Sequence, residues 1–351
     1  MEWVKTESHA QLNLANSGVK NYPLQGLHAD FSSLALSGPG AYGYAPLVAA
    51  IARKCGVSED CVVTAQGTSG ANHLAMAAVI EPGDDVLMER PAYPLLWETA
   101  AHLGANVNYF DRLAEEQFAV NIRQVERAMT SRTRLIAITN LHNPSCAYTD
   151  ETTLRQLGEI ARSAGAWVLV DEVYLDLLFD HAPETSYKFG REFIVTNSLT
   201  KVYGLSGLRC GWILAEPGLA RKIYRLNDLF GVNNPYVTDQ LSCIALEQLQ
   251  EIGKWARKLL DTNRALANEF IEATPELDGE QLKVGTVLFP RVDFPVEDLC
   301  HLLRERYGTV VTPGHFFGAP ERIRIGIGGD THLLSEGLNR VHEALDQMAG
   351  S

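Results

Sequence analysis

Cysteine pairs, basic charge and long apolar runs are all scarce in this chain of 351 residues. Its six cysteines, Cys55, Cys61, Cys146, Cys210, Cys243 and Cys300, include no Cys-x-x-Cys pair and no zinc-like cluster. The expectation is therefore free thiols, a reducing compartment and no metal site. Lysine and arginine number 30 against 43 acidic residues, a net charge of −13. That balance argues against a general nucleic-acid binder or a partner of anionic membranes, and any anionic ligand must be held by local basic groups. No stretch approaches the roughly 18 continuous apolar residues of a membrane span, and the opening MEWVKTESHAQLN lacks the apolar run of a secretory leader. The chain thus reads as a cytoplasmic protein without repeats or a low-complexity linker.

What is present is an alternation of short apolar runs with helical stretches. The runs lie at 62–64, 86–88, 107–110, 135–139, 167–170, 193–196 and 212–215, and most are apolar on successive residues. Strands covered on both faces have that pattern. Between them, ETAAHLGA and TLRQLGEIARSAGA are helix-like, with Gly104 and Gly165 placed as helix stops. The reading is an α/β fold: a large domain, 41–235, with a mostly parallel, seven-stranded, doubly wound sheet. Residues 236–351 read as an interdomain helix followed by a smaller α+β domain, and residues 1–40 as an N-terminal segment that joins it.

Ligands of such sheets gather at the carboxyl ends of the strands. The residues there are QGTSGANHLA, ERPAYP, NLHNPS, DEVY and NSLTK, and the last continues as NSLTKVYGLSGLRCGW. An exposed lysine needs no setting of small hydroxylated residues and glycines. The order Asn-Pro, Asp-x-x-Tyr, Ser-x-x-Lys, Arg, with gaps of 28 residues from Asn143 to Asp171 and 30 from Asp171 to Lys201, resembles the class I/II aminotransferases. These are pyridoxal-phosphate (PLP) enzymes of the aspartate aminotransferase type, fold type I. The resemblance runs from about Leu14 to Arg324 and implies PLP as cofactor.

The residue types suit that chemistry on their own. An aldehyde cofactor needs an amine, and Lys201 offers one that can also move protons. Asp171, at the end of a buried strand, can keep a ring nitrogen protonated. Gly67, Thr68 and Ser69 lead from a strand into a helix, where backbone amides and the helix dipole favour a phosphate. Arg209 would add a fork of donors. Gly204 and Gly207 would let the lysine loop close beneath the cofactor.

The resemblance assigns further roles. Lys201 would carry PLP as a Schiff base, Ser198 would join Arg209 at the phosphate, and Tyr93 would stack on the ring. Tyr174 and Asn143 would meet its phenolic oxygen. Tyr42 would reach the phosphate of a neighbouring subunit, which makes a homodimer with shared active sites the expected state. Arg324 would bind the substrate carboxylate, with Arg322 the competitor because RIRIGIG leaves the register ambiguous, and Gly18 would approach the substrate. Cys146 stands where many relatives have glycine, so the turn after Asn143 is open to question. Cys146 and Cys210 read as packing residues, and His73, His142 and His315 as structural histidines.

The implied reaction is a ping-pong transfer of an amino group between an L-amino acid and a 2-oxo acid. A lyase, decarboxylase or cyclase of the same fold would use the same cofactor residues and is the alternative. A non-catalytic PLP-binding regulatory module is disfavoured, because the sequence contains no basic helix-turn-helix segment.

Overall fold

In the computed structural model, residues 2–6, 8, 10–39 and 41–350 are described. Gly40, which ends the N-terminal segment assigned from sequence, lies outside them. The large sheet comprises β1 (Val62–Gln66), β2 (Asp85–Arg90), β3 (Asn106–Asp111), β4 (Thr133–Thr139), β5 (Trp167–Asp171), β6 (Phe193–Ser198) and β7 (Cys210–Leu214). Their spatial order is β1-β7-β6-β5-β4-β2-β3. Every pairing is parallel except those of β7, which runs antiparallel to both β1 and β6. The reason is local: residues 199–209 join β6 to β7 with a single 3-10 turn and no crossover helix, so the chain can only double back.

The continuous apolar runs follow from burial on both faces. Ile136, Ile138, Val168 and Val170 point into one hydrophobic layer, while Leu135, Ala137 and Leu169 point into the other. Only edge strand β3 is substantially exposed. Helix Glu151–Ala164 begins with the Asp150 carboxylate accepting the Thr153 N–H and ends at Gly165 with φ of 66°. Both devices return the chain promptly to the sheet.

A second core gathers Leu277, Val292, Leu299, Ile325, Val341 and Leu345 around a three-stranded sheet, Val287–Leu288, Ile323–Gly326 and Thr312–Pro313. The helix Leu249–Ala273 joins the two cores: Ile252, Ala256 and Leu260 pack into the large one, and Ala267, Phe270 and Ile271 into the small one. The N-terminal arm also visits both. Strand Leu12–Asn13 pairs with Thr309–Val310, and farther along the Val19 N–H donates to the Lys201 carbonyl at 2.8 Å. That arm therefore crosses the carboxyl edge of the large sheet. Among the described residues no helix is long and apolar enough to cross a membrane.

Candidate active site

Register places the ends of β4, β5 and β6 side by side, with Asp171 between Thr139 and Thr196. Burial lifts the Asp171 carboxyl to about 6, opposed by hydrogen bonds from Asn72 and Val173. Asn72 Nδ2 donates to its Oδ2 at 2.8 Å, and the Val173 N–H to its Oδ1 at 3.1 Å. Asn72 is itself fixed by the Thr196 hydroxyl, which donates to Asn72 Oδ1 at 2.6 Å. The sequence reading missed Asn72. Its signal was an amide side chain just beyond the glycine-rich loop, in the helix Gly67–Val79.

That loop turns into the helix as the sequence pattern indicates. Gly67 has φ of 66°, and a Cβ there would come within 2.3 Å of Arg209 Nη2, so the guanidinium uses the space a side chain would fill. Thr68 Oγ1 donates to Ser198 Oγ at 2.7 Å, and Ser198 and Thr200 share a second bond of 2.7 Å. Three hydroxyls thus meet at the helix N-terminus. Among the described residues no carboxylate pairs with Arg209, which touches only the carbonyls of Ser206 and Gln66 at 3.5 and 3.4 Å.

Lys201 is partly buried in the same cleft, and burial, with help from Arg324 and Arg209, lowers its amine to about 8 against the pull of Asp171. Its Nζ donates to Ser17 Oγ at 3.2 Å, and the Tyr174 hydroxyl donates to the same oxygen at 2.7 Å. Ser17 is a second residue that sequence reasoning overlooked. The neighbouring Gly18 N–H is taken by Asn16 Oδ1 at 3.0 Å. A Cβ at Gly18 would lie 3.4 Å from Lys201 Cδ.

The two arginines of RIRIGIG point in different directions. Arg324 donates from Nη1 to Asn143 Oδ1 at 3.1 Å and from Nη2 to the Ala15 carbonyl at 2.9 Å, while its buried Nε has no partner. Arg322 turns away, bonded to the Phe289 carbonyl at 2.8 Å and stacked on Phe118 and Phe289. Asn143 is seated by Thr139, whose hydroxyl accepts its N–H at 2.9 Å and in turn donates to Glu89 at 2.7 Å. Glu89 is paired with Arg112 at 2.7 Å in full burial.

The cleft encloses about 230 Å³ and is lined by Ser17, Thr68, Ser69, Tyr93, Asn143, Asp171, Tyr174, Lys201 and Arg209, among others. Its concave shape and few convergent polar groups are those of a small-molecule site. Tyr42 stays outside it, largely exposed, with its hydroxyl 3.2 Å from Asp228. Cys146 has φ of 63°, the left-handed conformation that glycine adopts more easily. Its thiol occupies the space of a side chain at Gly285, where a Cβ would approach Sγ to 2.3 Å. Burial pushes the Cys210 thiol up to about 12, as befits a packing residue. His142 is buried between Ser145 and the Pro91 carbonyl, with its pKa pushed well down by burial. His73 rests on Phe230, and His315 meets Glu297 at 2.6 Å. One expectation needs correction: Gly204 has φ of 64° and no room for a Cβ beside the Lys20 carbonyl, but Gly207 faces open space and adopts an ordinary φ. Only Gly204 is required by the geometry.

These residues fit PLP. A cationic, hydroxyl-rich helix N-terminus suits the phosphate, Asp171 keeps a carboxylate edge beyond its two donors, an amine of lowered pKa lies in the same cleft, and a buried guanidinium retains an orphan N–H. No group of three or more metal-ligating side chains occurs among the described residues.

Comparison with known proteins agrees. The profile of the aminotransferase class I and II family matches residues 6–341. A capreomycidine synthase of Streptomyces vinaceus is 29% identical over 98% of this chain and 92% of its own length. An arginine–pyruvate transaminase of Pseudomonas aeruginosa is 27% identical over 84% of this chain and 77% of its own. The crystal structure of a PLP-dependent aminotransferase from Streptococcus suis superimposes with a TM-score of 0.92 at 26% identity, covering 99% of this chain and 96% of that one. On its fold, its cleft and these relatives, the chain belongs to the class I and II aminotransferase family of PLP enzymes.

Proposed function

We propose that the protein moves an amino group between an L-amino acid and a 2-oxo acid by a ping-pong route, with Lys201 as the residue that carries the cofactor. The bound cofactor supplies an electron sink and an amino-group carrier. Arg209, Ser198, Gly67, Thr68 and Ser69 hold its phosphate, Tyr93 covers its ring, and Asn143 and Tyr174 bind its phenolic oxygen. Asp171 keeps a proton on the ring nitrogen, and its confinement by Asn72 and Val173 leaves it little freedom to turn away. Arg324 takes the substrate carboxylate and Gly18 flanks it. Lys201 Nζ removes the proton from the substrate Cα and returns it one carbon away, a task suited to an amine whose pKa lies near 8.

The observation that carries this reading is the meeting, in one cleft, of a lysine of lowered pKa and a buried carboxylate, with an arginine of unpartnered Nε bonded to Asn143 on the cleft wall. A second copy of the chain is part of the proposal, with Tyr42 serving the partner's phosphate site. The exposure of Tyr42 near Leu229, Phe230 and Val232, which are also exposed, supports a covered surface there.

The test is to mix loaded protein with single amino acids, without any oxo acid, and follow the visible band of the cofactor. Transamination predicts that the band disappears as one equivalent of oxo acid forms, and returns when a second oxo acid is added. A lyase, decarboxylase or cyclase is the second reading, favoured by the 29% identity to capreomycidine synthase over nearly the whole chain. It predicts instead a band that persists while product accumulates over many turnovers without an acceptor.

A further inference from the structure

Ser17 receives two donors on one oxygen: the Tyr174 hydroxyl at 2.7 Å and the Lys201 amine at 3.2 Å. A serine hydroxyl has two acceptor lone pairs and one hydrogen. Both lone pairs are therefore engaged, and among the described residues the Ser17 hydrogen has no acceptor. Ser17 itself lines the cleft and is only 6% exposed, so that hydrogen is directed to the space a ligand would fill.

Its backbone is fixed from both sides. Thr286 Oγ1 donates to the Ser17 carbonyl at 2.7 Å, and Arg324 holds the Ala15 carbonyl at 2.9 Å. Two residues on, the Val19 N–H binds the carbonyl of Lys201 at 2.8 Å. The arm is thus tied to the backbone of the same lysine whose amine its serine touches.

We propose that Ser17 is a further catalytic residue: its Oγ holds the free amine of Lys201, shares that hold with Tyr174, and presents its own hydrogen to an acceptor on the bound amino acid. The inference rests on the reading of Lys201 as the proton-moving amine. Pinning one N–H restricts rotation about the Cε–Nζ bond, so the amine meets the substrate Cα in fewer orientations. Accepting from the amine also favours its charged form.

In cofactor-free protein, the pH dependence of Lys201 acylation by a small amine reagent, read by peptide mass mapping, reports the midpoint of its titration. Ser17→Ala should move that midpoint to lower pH by about half a unit or more, because the charged amine loses an acceptor. In the loaded enzyme the same variant should lower kcat about 10-fold or more, leave KM within about 3-fold, and shift the acid limb of the kcat profile downward. Ser17→Thr, which keeps the hydroxyl, should retain the wild-type midpoint and limb. A wild-type midpoint and limb in Ser17→Ala would overturn the proposal, as would a Ser17→Thr protein indistinguishable from Ser17→Ala. Wild-type protein whose Lys201 never takes up the cofactor would instead defeat the aminotransferase reading, leaving the acylation midpoint to judge Ser17 separately.

Discussion

Asp171 and Arg324 are both buried charges, and their neighbours explain why each can serve a ligand. Asp171 receives two donors, and Arg324 spends two of its N–H groups on Asn143 and Ala15 while one stays unpaired. Asp171→Asn should leave the cofactor bound but cut turnover at least about 100-fold, since a neutral amide cannot hold a proton on the ring nitrogen; a cofactor-loaded variant with near-normal kcat would contradict the assignment. Arg324→Lys should raise KM for the amino acid about 10- to 100-fold through loss of fork-shaped, charge-assisted bonds. Arg322→Lys, by contrast, should leave KM nearly unchanged, and steady-state kinetics on the pair would settle the register. At this scale the sequence was legible wherever a residue's own chemistry is unusual for its setting, as with Lys201 among small residues or Asp171 at the end of a buried strand. Asn72 and Ser17 meet Asp171 and Lys201 through hydrogen bonds between residues 99 and 184 positions apart, which leave no local mark.

The loop from β6 to β7 shows what an element can demand of single positions. At Gly204 a Cβ would fall 2.2 Å from the Lys20 carbonyl, on a backbone with φ of 64°. Gly204→Ala should therefore destabilise the protein by about 2 kcal/mol or more, combining a steric clash with left-handed strain. Gly207→Ala, facing open space, should change stability by no more than about 0.5 kcal/mol. Thermal denaturation of the two variants checks both, and equal losses would refute the distinction. Composition alone made the two glycines look equivalent. The strands themselves were legible because burial on both faces writes itself as consecutive apolar residues, whereas the reversed direction of β7 depends on a connection too short for a helix. The doubt raised by Cys146 is answered by the structure: the residue keeps the left-handed turn that glycine would make, and Gly285 gives its thiol room.

Across the whole molecule, burial raises the Asp171 carboxyl to about 6 and that of Glu172 to about 7. The folded chain binds protons at these groups at a pH where the unfolded chain does not. Stability of the cofactor-free protein should therefore increase as pH falls from about 8 to about 6.5, below which His142, kept neutral by burial, opposes the carboxyls. The net charge of −13 works in the same direction, because protonation relieves self-repulsion. Below about pH 4 the trend should reverse, as Asp85, held below its ordinary value mainly by the Thr130 hydroxyl, loses its contribution. Melting temperature against pH checks this, and a steady decline from pH 8 downward would contradict it. The two hydrophobic cores coincide with a change of texture along the chain, but the arm that brings Ser17 to Lys201 leaves no such mark, since only the fold carries residues 12–19 across both cores.

The central claim is that Lys201 is the residue to which the cofactor is joined. Borohydride reduction of the PLP-loaded protein, followed by digestion and mass mapping, tests it most directly. The account predicts a single modified peptide with the cofactor's mass fixed on Lys201, and none in Lys201→Ala. Modification of a different lysine, or unchanged labelling in Lys201→Ala, would contradict it.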